Sequence, residues 1–422
     1  METKTIAIAG LNASGKTLMV ERMRRELHSD SVRYVAFCDT YGTITDRSYY
    51  LQQRWNQHDI EEETPYVADA LERSFLLSGS DTPTRRQNQQ RLYQLLGMEA
   101  LLGKYVISLS SGELRKMQLV KTLMANPEIL ILDNPFIGLD AEARAMLSQL
   151  LRQLKEQGMK LYLIVARPGE IPDFADEIIW TTDEQEFRRP LSSSSHPSSL
   201  SSHHSPEVIR MTDVSIRYGE RTILDRLSWT VCQGEHWALS GRNGSGKSTL
   251  LSLVCADNPQ SYACNIALFG HQRGTGESIW EIKRHIGYVS PELHRSYRRN
   301  LPAIHIVASG LKDTVGLYVR MNEDERQQCL QWMEKFNIAD LADRSFLQLS
   351  SGEQRLVLVC RAFVKNPNLL ILDEPMHGLD MQRQQLVKDI INDYCADPTR
   401  TLIMVSHYEE ELPSCIDHRL RL

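Results

Sequence analysis

Lys16 and Lys247 each sit near the end of a glycine-punctuated octapeptide, GLNASGKT at 10–17 and GRNGSGKS at 241–248. The pattern GxxxxGK followed by Ser or Thr gives a loop whose backbone N–H groups enclose phosphate oxygens at a helix N-terminus, where the helix dipole favours negative charge. The nucleotide-binding candidates are therefore Gly10, Asn12, Gly15, Lys16 and Thr17 in one loop. Gly241, Asn243, Gly244, Gly246, Lys247, Ser248 and Thr249 are their counterparts in the other. In such loops the lysines reach the β- and γ-phosphates, and Thr17 and Ser248 each offer one hydroxyl to Mg2+.

Two further stretches carry carboxylates: ILILDNPFIGLD at 129–140 and LLILDEPMHGLD at 369–380. Asp133 and Asp373 end apolar runs, so each is placed at the carboxyl end of a strand, where an acidic group can hold a metal-bound water beside the phosphates. Glu374 follows Asp373 and is a candidate general base for a water attacking the γ-phosphate. Asn134 stands at the matching point. It can hydrogen-bond that water but cannot accept its proton.

These groups need scaffolds, and the chain repeats one scaffold twice. SLSSGELRK at 108–116 and QLSSGEQRL at 348–356 lie between loop and carboxylate in each half. From Gly112 to Asp133 and from Gly352 to Asp373 the distance is 21 residues, and from those aspartates to Asp140 and Asp380 it is 7. Strands TIAIAG (5–10) and WALSG (237–241) enter the two loops, ILIL and LLIL are short apolar strands, and LYLIV (161–165) and TLIMV (401–405) follow helical stretches. Apolar runs of this length alternating with helices imply a parallel sheet covered on both faces. Each half is expected to be an α/β domain.

The bulk numbers agree with two domains and name no chemistry. The chain has 422 residues, 41% hydrophobic and 24% charged, with a net charge of −6. That length exceeds what one core usually serves, and the composition excludes collagenous or wholly disordered classes. An acidic balance gives no global attraction to nucleic acid or anionic lipid; HRSYRRN at 294–300 reads as a solvated loop face. No apolar run approaches the roughly 20 residues that span a bilayer, and METKTIAIAG lacks a secretory pattern, so a cytoplasmic location is expected. Eight cysteines without a CxxC pair read as reduced, mostly buried apolar residues. LSSSSHPSSLSSHHS at 191–205 has nine serines and no helix or strand period, which makes it a tether. The expected organisation is a domain at 1–185, a linker at 186–206 and a domain at 207–422.

With these landmarks in place, the halves resemble the two nucleotide-binding domains of an ATP-binding cassette (ABC) ATPase. LSSGE at 109–113 and 349–353 resembles that family's LSGGQ signature. The resemblance implies two P-loop domains, each with a mainly parallel sheet and a helical subdomain. It also implies a head-to-tail pair in which each ATP lies between one domain's P-loop and the other's signature. Ser350 and Gly352 would complete the site of Lys16 and Asp133, and Ser110 and Gly112 that of Lys247 and Asp373. The family's histidine that contacts the γ-phosphate matches His407, 34 residues after Asp373; the same count from Asp133 reaches Arg167. Tyr218 matches the family's adenine-stacking aromatic.

Departures gather on the first site. Its half begins only nine residues before Gly10, so most of the N-terminal antiparallel β part is missing; Ala13 stands where the second loop has Gly244, and Asn134 and Arg167 replace Glu374 and His407. The family's glutamine after the middle strand is not clear in either half, with Cys38 and Pro291 at the expected points and Gln52 and Gln53 unassigned. VARPGEIPDF and IGYVSPELH look similar to cytoplasmic double-cassette proteins of the molybdenum-transport or photorepair type. The resemblance thus implies a Mg2+-dependent ATPase that binds two ATP and hydrolyses mainly at the Lys247, Asp373, Glu374 and His407 site. Alternatives are the ATP-binding subunit of an importer with separate membrane chains, peripheral to the membrane, and a nucleotide-gated factor acting on the ribosome or nucleic acid. Nucleic acid is the partner least expected.

Overall fold

The computed structural model of the chain describes residues 4–9, 32–36, 65–106, 109, 111–136, 139, 141–165, 167–181, 205–218, 221–242, 244–297, 300–315 and 320–422. The expectations for Gly10, Asn12, Ala13, Gly15, Lys16, Thr17, Cys38, Gln52, Gln53, Ser110, Asn243 and the tether at 191–204 lie outside the described residues. The chain divides into two compact units, Met1–Pro190 and Leu191–Leu422.

The first unit is built on β1 (Thr5–Ala9), β2 (Val32–Ala36), β3 (Ile129–Asp133), β4 (Lys160–Val165) and β5 (Glu177–Trp180). They form one sheet in the order β2-β3-β4-β1-β5, and every neighbouring pair is parallel. Parallel strands are covered on both faces, which is why β3 is four consecutive buried residues and breaks to a polar one only at Asp133. Val67–Leu77, Pro83–Leu96 and Ser111–Leu123 make a helical layer. Pro83–Leu96 is delimited by chemistry readable in its sequence: Thr82 accepts the Arg85 N–H, Pro83 opens the helix, and Gly97 closes it at φ 60°. Among the described residues this unit has no antiparallel sheet.

The second unit has β6 (Glu207–Tyr218), β7 (Arg221–Cys232), β8 (His236–Ser240), β9 (Ile266–Leu268), β10 (His271–Gln272), β11 (Ile286–Val289), β12 (Leu369–Asp373), β13 (Thr401–Val405) and β14 (His418–Arg421). One sheet runs β11-β12-β13-β8-β14, the strand order of the first unit, and is again all parallel. A separate sheet, β10-β9-β6-β7, pairs antiparallel. Ile209, Ile216 and Val231 of this second sheet share a core with Leu250 and Val254 of the helix Lys247–Val254 and with Ile371 and Ile403 of the parallel sheet. The opposite core, around Phe336, Phe346 and Phe363, joins Leu370 and Met404 to the helices Ala303–Ser309, Glu323–Lys335 and Ser351–Phe363. Each unit is the α/β domain expected, the first without an antiparallel sheet among the described residues. No helix among the described residues is long and apolar enough to cross a membrane.

Candidate functional site

Because every strand of the parallel sheets points one way, the ends of β8, β12 and β13 come to a single edge, the place where open α/β sheets bind ligands. Ser240 runs straight into the glycine loop there. Gly241, Gly244 and Gly246 take φ of 150°, 81° and 99°, conformations that L side chains rarely adopt. Packing adds to this at two of them: a Cβ on Gly241 would stand 2.7 Å from the Leu422 carbonyl oxygen, and one on Gly246 would crowd Leu224 Cδ2 at 2.9 Å and the Ile223 carbonyl oxygen at 3.1 Å. The loop then turns into the helix Lys247–Val254.

Lys247 Nζ lies on the loop itself, donating to the Gly241 and Arg242 carbonyls at 2.7 and 2.8 Å. Ser245 Oγ is buried with no hydrogen-bond partner, while Ser248 is exposed and Thr249 buried. A buried hydroxyl without a partner, in a loop whose glycines hold positive φ, fits an oxygen-rich ligand such as a phosphate chain. Ser248 and the buried Asp373 supply the hard oxygen atoms that Mg2+ takes. Tyr218 is half-buried at the end of β6, and its hydroxyl accepts from Asn258 Nδ2 at 3.0 Å.

Glu374 follows β12 in a left-handed conformation, φ 51°. Its N–H donates to the Val405 carbonyl at 3.0 Å, which aims the side chain across β13. There Oε1 meets His407 Nε2 at 3.1 Å and Oε2 meets His377 Nδ1 at 3.4 Å. Burial acts to raise this carboxyl's pKa, but the hydrogen bonds and charges of His377 and His407 outweigh it and hold it far below the usual carboxylate range. The side chain is thus kept ionised and can accept hydrogen bonds, while the same depression makes it a weaker proton acceptor than an unperturbed carboxylate.

The signature segment opens the helix Ser351–Phe363. Ser350 caps it in a capping box, its Oγ accepting the Glu353 N–H at 3.3 Å and its N–H donating to Glu353 Oε2 at 2.8 Å. Gly352 lies so near the segment after Glu374 that a Cβ would stand 3.3 Å from the Gly378 carbonyl oxygen.

In the first unit the described part of the corresponding site holds Asp133 and Asn134; Gly112 lies in the helix Ser111–Leu123. Tyr34 OH donates to Asp133 Oδ2 at 2.7 Å and Asn134 Nδ2 to Oδ1 at 2.8 Å, so both carboxylate oxygens have neutral donors. Asn134 repeats the conformation of Glu374, φ 50°, with its N–H on the Ile164 carbonyl at 2.9 Å. One expectation is corrected here. Asp133 pairs with Ile164 whereas Asp373 pairs with Val405, so the connection before β4 is one residue shorter than that before β13. Counted from these partners, the position matching His407 is 166, an alanine outside the described residues, and Arg167 matches Tyr408.

His377 escaped the sequence reading, although its partner position is Ile137, and that polar-to-apolar contrast was visible in the paired segments. Arg115 was also missed. It is buried in the signature helix and donates to the Pro135 carbonyl, tying that helix to the residue after Asn134.

Residues 1–137 and 224–377 match the ABC transporter family model. The chain is 40% identical to the ABC transporter ATP-binding protein ModF of Escherichia coli K12, over 98% of this chain and 90% of that protein. It is 31% identical to an uncharacterized ABC transporter ATP-binding protein of Schizosaccharomyces pombe, over 80% of this chain and 72% of the other. Among solved structures it is similar to the archaeal ribosome recycling factor aABCE1, crystallised with the ribosomal stalk protein aP1. That match has a TM-score of 0.56 and 16% identity over 100% of this chain and 83% of the other. A model of ribosome-bound archaeal Pelota and ABCE1 gives a TM-score of 0.62 at 16% identity, over 96% of this chain and 70% of the other. At such identity the likeness concerns the fold alone.

Proposed function

This chain belongs to the ABC transporter ATP-binding family as a tandem protein, and from that premise we propose that it is a Mg2+-dependent ATPase with one hydrolytic site and one degenerate site. The observation that carries the reading is Glu374, kept in a left-handed conformation and bound by two histidines, while Asn134 occupies the same backbone position without a carboxylate. A glutamate in that conformation costs about 1–3 kcal/mol, and such outliers gather where function retains them. Asparagine is far more at ease there.

Lys247, the loop N–H groups and Thr249 bind the phosphates of ATP, and Ser248 and Asp373 hold Mg2+, which supplies charge neutralisation at the phosphoryl oxygens. Glu374 orients a water and accepts its proton, and His407 keeps the carboxylate in place and offers a donor toward the γ-phosphate. Tyr218 borders the adenine. The cassettes, at 1–185 and 207–422 with a linker at 186–206, hold two ATP head to tail. Ser110 and Gly112 complete the hydrolytic site, and Ser350 and Gly352 complete the site of Gly10, Asn12, Gly15, Lys16, Thr17 and Asp133. We place the protein in the cytoplasm.

Nucleotide retained on the full chain tests this reading. After brief incubation with ATP and Mg2+, wild type should hold one ATP and one ADP per chain, and Glu374→Gln should hold two ATP. Hydrolysis of both nucleotides at one rate in wild type sinks the proposal. The family model named for transporters favours a second reading, an ATP-binding subunit serving separate membrane chains. Stoichiometric co-isolation of a permease from detergent extracts would select it.

A further inference from the structure

At the amino end of β8, the sheet edge opposite the phosphate loop, three side chains from distant parts of the second unit meet. His236 opens β8, Cys395 ends the helix Met381–Cys395, and Cys415 lies in the loop before β14. One imidazole nitrogen and the two Sγ atoms all lie within 4.8 Å of one another. His236 is 8% exposed and Cys395 7%. The imidazole Nε2 is buried with no hydrogen-bond partner, whereas Nδ1 faces the Cys415 carbonyl oxygen at 3.2 Å. A buried polar atom left unsatisfied costs about 1–3 kcal/mol, and a ring fixed through one nitrogen to a carbonyl presents the other as metal-binding histidines do.

The surroundings hold the three groups in place. Asn392 Oδ1, one turn before Cys395, accepts the Cys415 N–H at 3.1 Å and bonds Ser414 Oγ at 3.2 Å, which pins the loop to the helix. Asp417 Oδ1 accepts the His236 N–H at 2.8 Å, and its other oxygen lies 3.7 Å from Nδ1. The hydrogen bond with Cys415, and then burial, push the Cys395 thiol far above its ordinary value. Cys395 therefore meets its neighbour as a thiol, its Sγ within 4.8 Å of Cys415 Sγ.

We propose that His236 Nε2, Cys395 Sγ and Cys415 Sγ bind one thiophilic metal ion of the Zn2+ and Cu+ class. Two thiolates and an imidazole are the ligands such ions select over Mg2+ or Ca2+. Bonds of ~2.3 Å to sulfur and ~2.0 Å to nitrogen would draw the three side chains together around the ion. On binding, two S–metal bonds and one N–metal bond form, the two thiol protons leave to solvent, and nothing is oxidised or reduced. The ion ties the start of β8, the end of a long helix and the entry to β14. Five strand residues, roughly 17 Å, separate it from the phosphate loop, so it acts as a staple rather than in hydrolysis.

The full chain, reduced and stripped with chelator, is titrated with Zn2+ against a chromophoric chelator and with Cu+ anaerobically; Co2+ serves as a spectroscopic probe. Wild type should bind one equivalent of at least one of the first two ions and give a thiolate-to-cobalt charge-transfer band. Cys395→Ser and Cys415→Ser should each weaken binding more than about 100-fold, beyond the loss usual for outer-shell partners. Replacing His196, His203 and His204 of the serine-rich tether by Ala should change nothing. In wild type, whatever the folding of the variants, the bound ion should protect Cys395 and Cys415 from alkylation. Absence of a stoichiometric site, binding that survives both serine variants, or equal alkylation with and without metal would each overturn the proposal.

Discussion

Asn134 and Glu374 occupy one backbone conformation, φ 50° and 51°, each with its N–H on the carbonyl of the adjacent central strand. The backbone at this position is therefore present twice, and the carboxylate once. Glu374→Gln should lower ATP turnover by ~10²–10⁴-fold, the usual loss for a general base. Asn134→Ala should change it less than about threefold. Steady-state phosphate release reads both, and equal losses would contradict two unlike sites.

His377 should show itself in pH dependence rather than in turnover at neutral pH. Its hydrogen bond helps to hold the Glu374 carboxyl below its ordinary value, and a general base works only when ionised. In His377→Ala the acid limb of the kcat/KM profile should move to higher pH. An unmoved limb would show that His377 does not act on Glu374.

The same depression makes Glu374 a source of pH-dependent stability. A carboxyl whose folded pKa lies below its unfolded value near 4.3 stabilises the fold above that pH and loses the contribution as pH falls toward the folded value. Denaturant unfolding should show the stability gap between wild type and Glu374→Gln narrowing as pH is lowered from about 5 to 3. A gap that widens would reverse the sign of the coupling.

Ser350 caps the signature helix and is placed by the functional reading at a nucleotide. Ser350→Ala should destabilise the protein by ~0.5–2 kcal/mol through the lost cap, measured without nucleotide. Ser350→Thr retains a capping hydroxyl and should keep most of that stability, so an alanine variant of wild-type stability would mean the cap contributes nothing.

Gly246→Ala tests the cradle. The new methyl group meets Leu224 at 2.9 Å in a left-handed conformation, which should cost on the order of 1–3 kcal/mol. It should also weaken ATP binding at the second site by more than tenfold, read by equilibrium titration.

Much of the site was legible because its chemistry is carried by short contiguous segments. Glycines fix a loop, apolar runs of four residues imply buried parallel strands, and an Asp after such a run lies at the strand end; none of this needs distant partners. His377 could have been found by setting EPMHGLD beside NPFIGLD. Arg167 was misplaced because counting residues assumes equal loops, and the connection ahead of β4 lacks one residue. Strand pairing fixes which atoms face each other, and a loop absorbs a deletion without leaving a mark in spacing.

What the sequence alone determined is therefore the duplicated α/β plan, the paired glycine-rich segments and the unequal residues at 134 and 374, since each is written in local spacing and residue type. Tertiary structure alone decided which histidines hold Glu374, which donors occupy Asp133, and that His236, Cys395 and Cys415 meet at one corner of the second unit. Those contacts join elements far apart in the chain. Their geometry comes from sheet register and core packing, and neither has a period that can be read along a single strand of text.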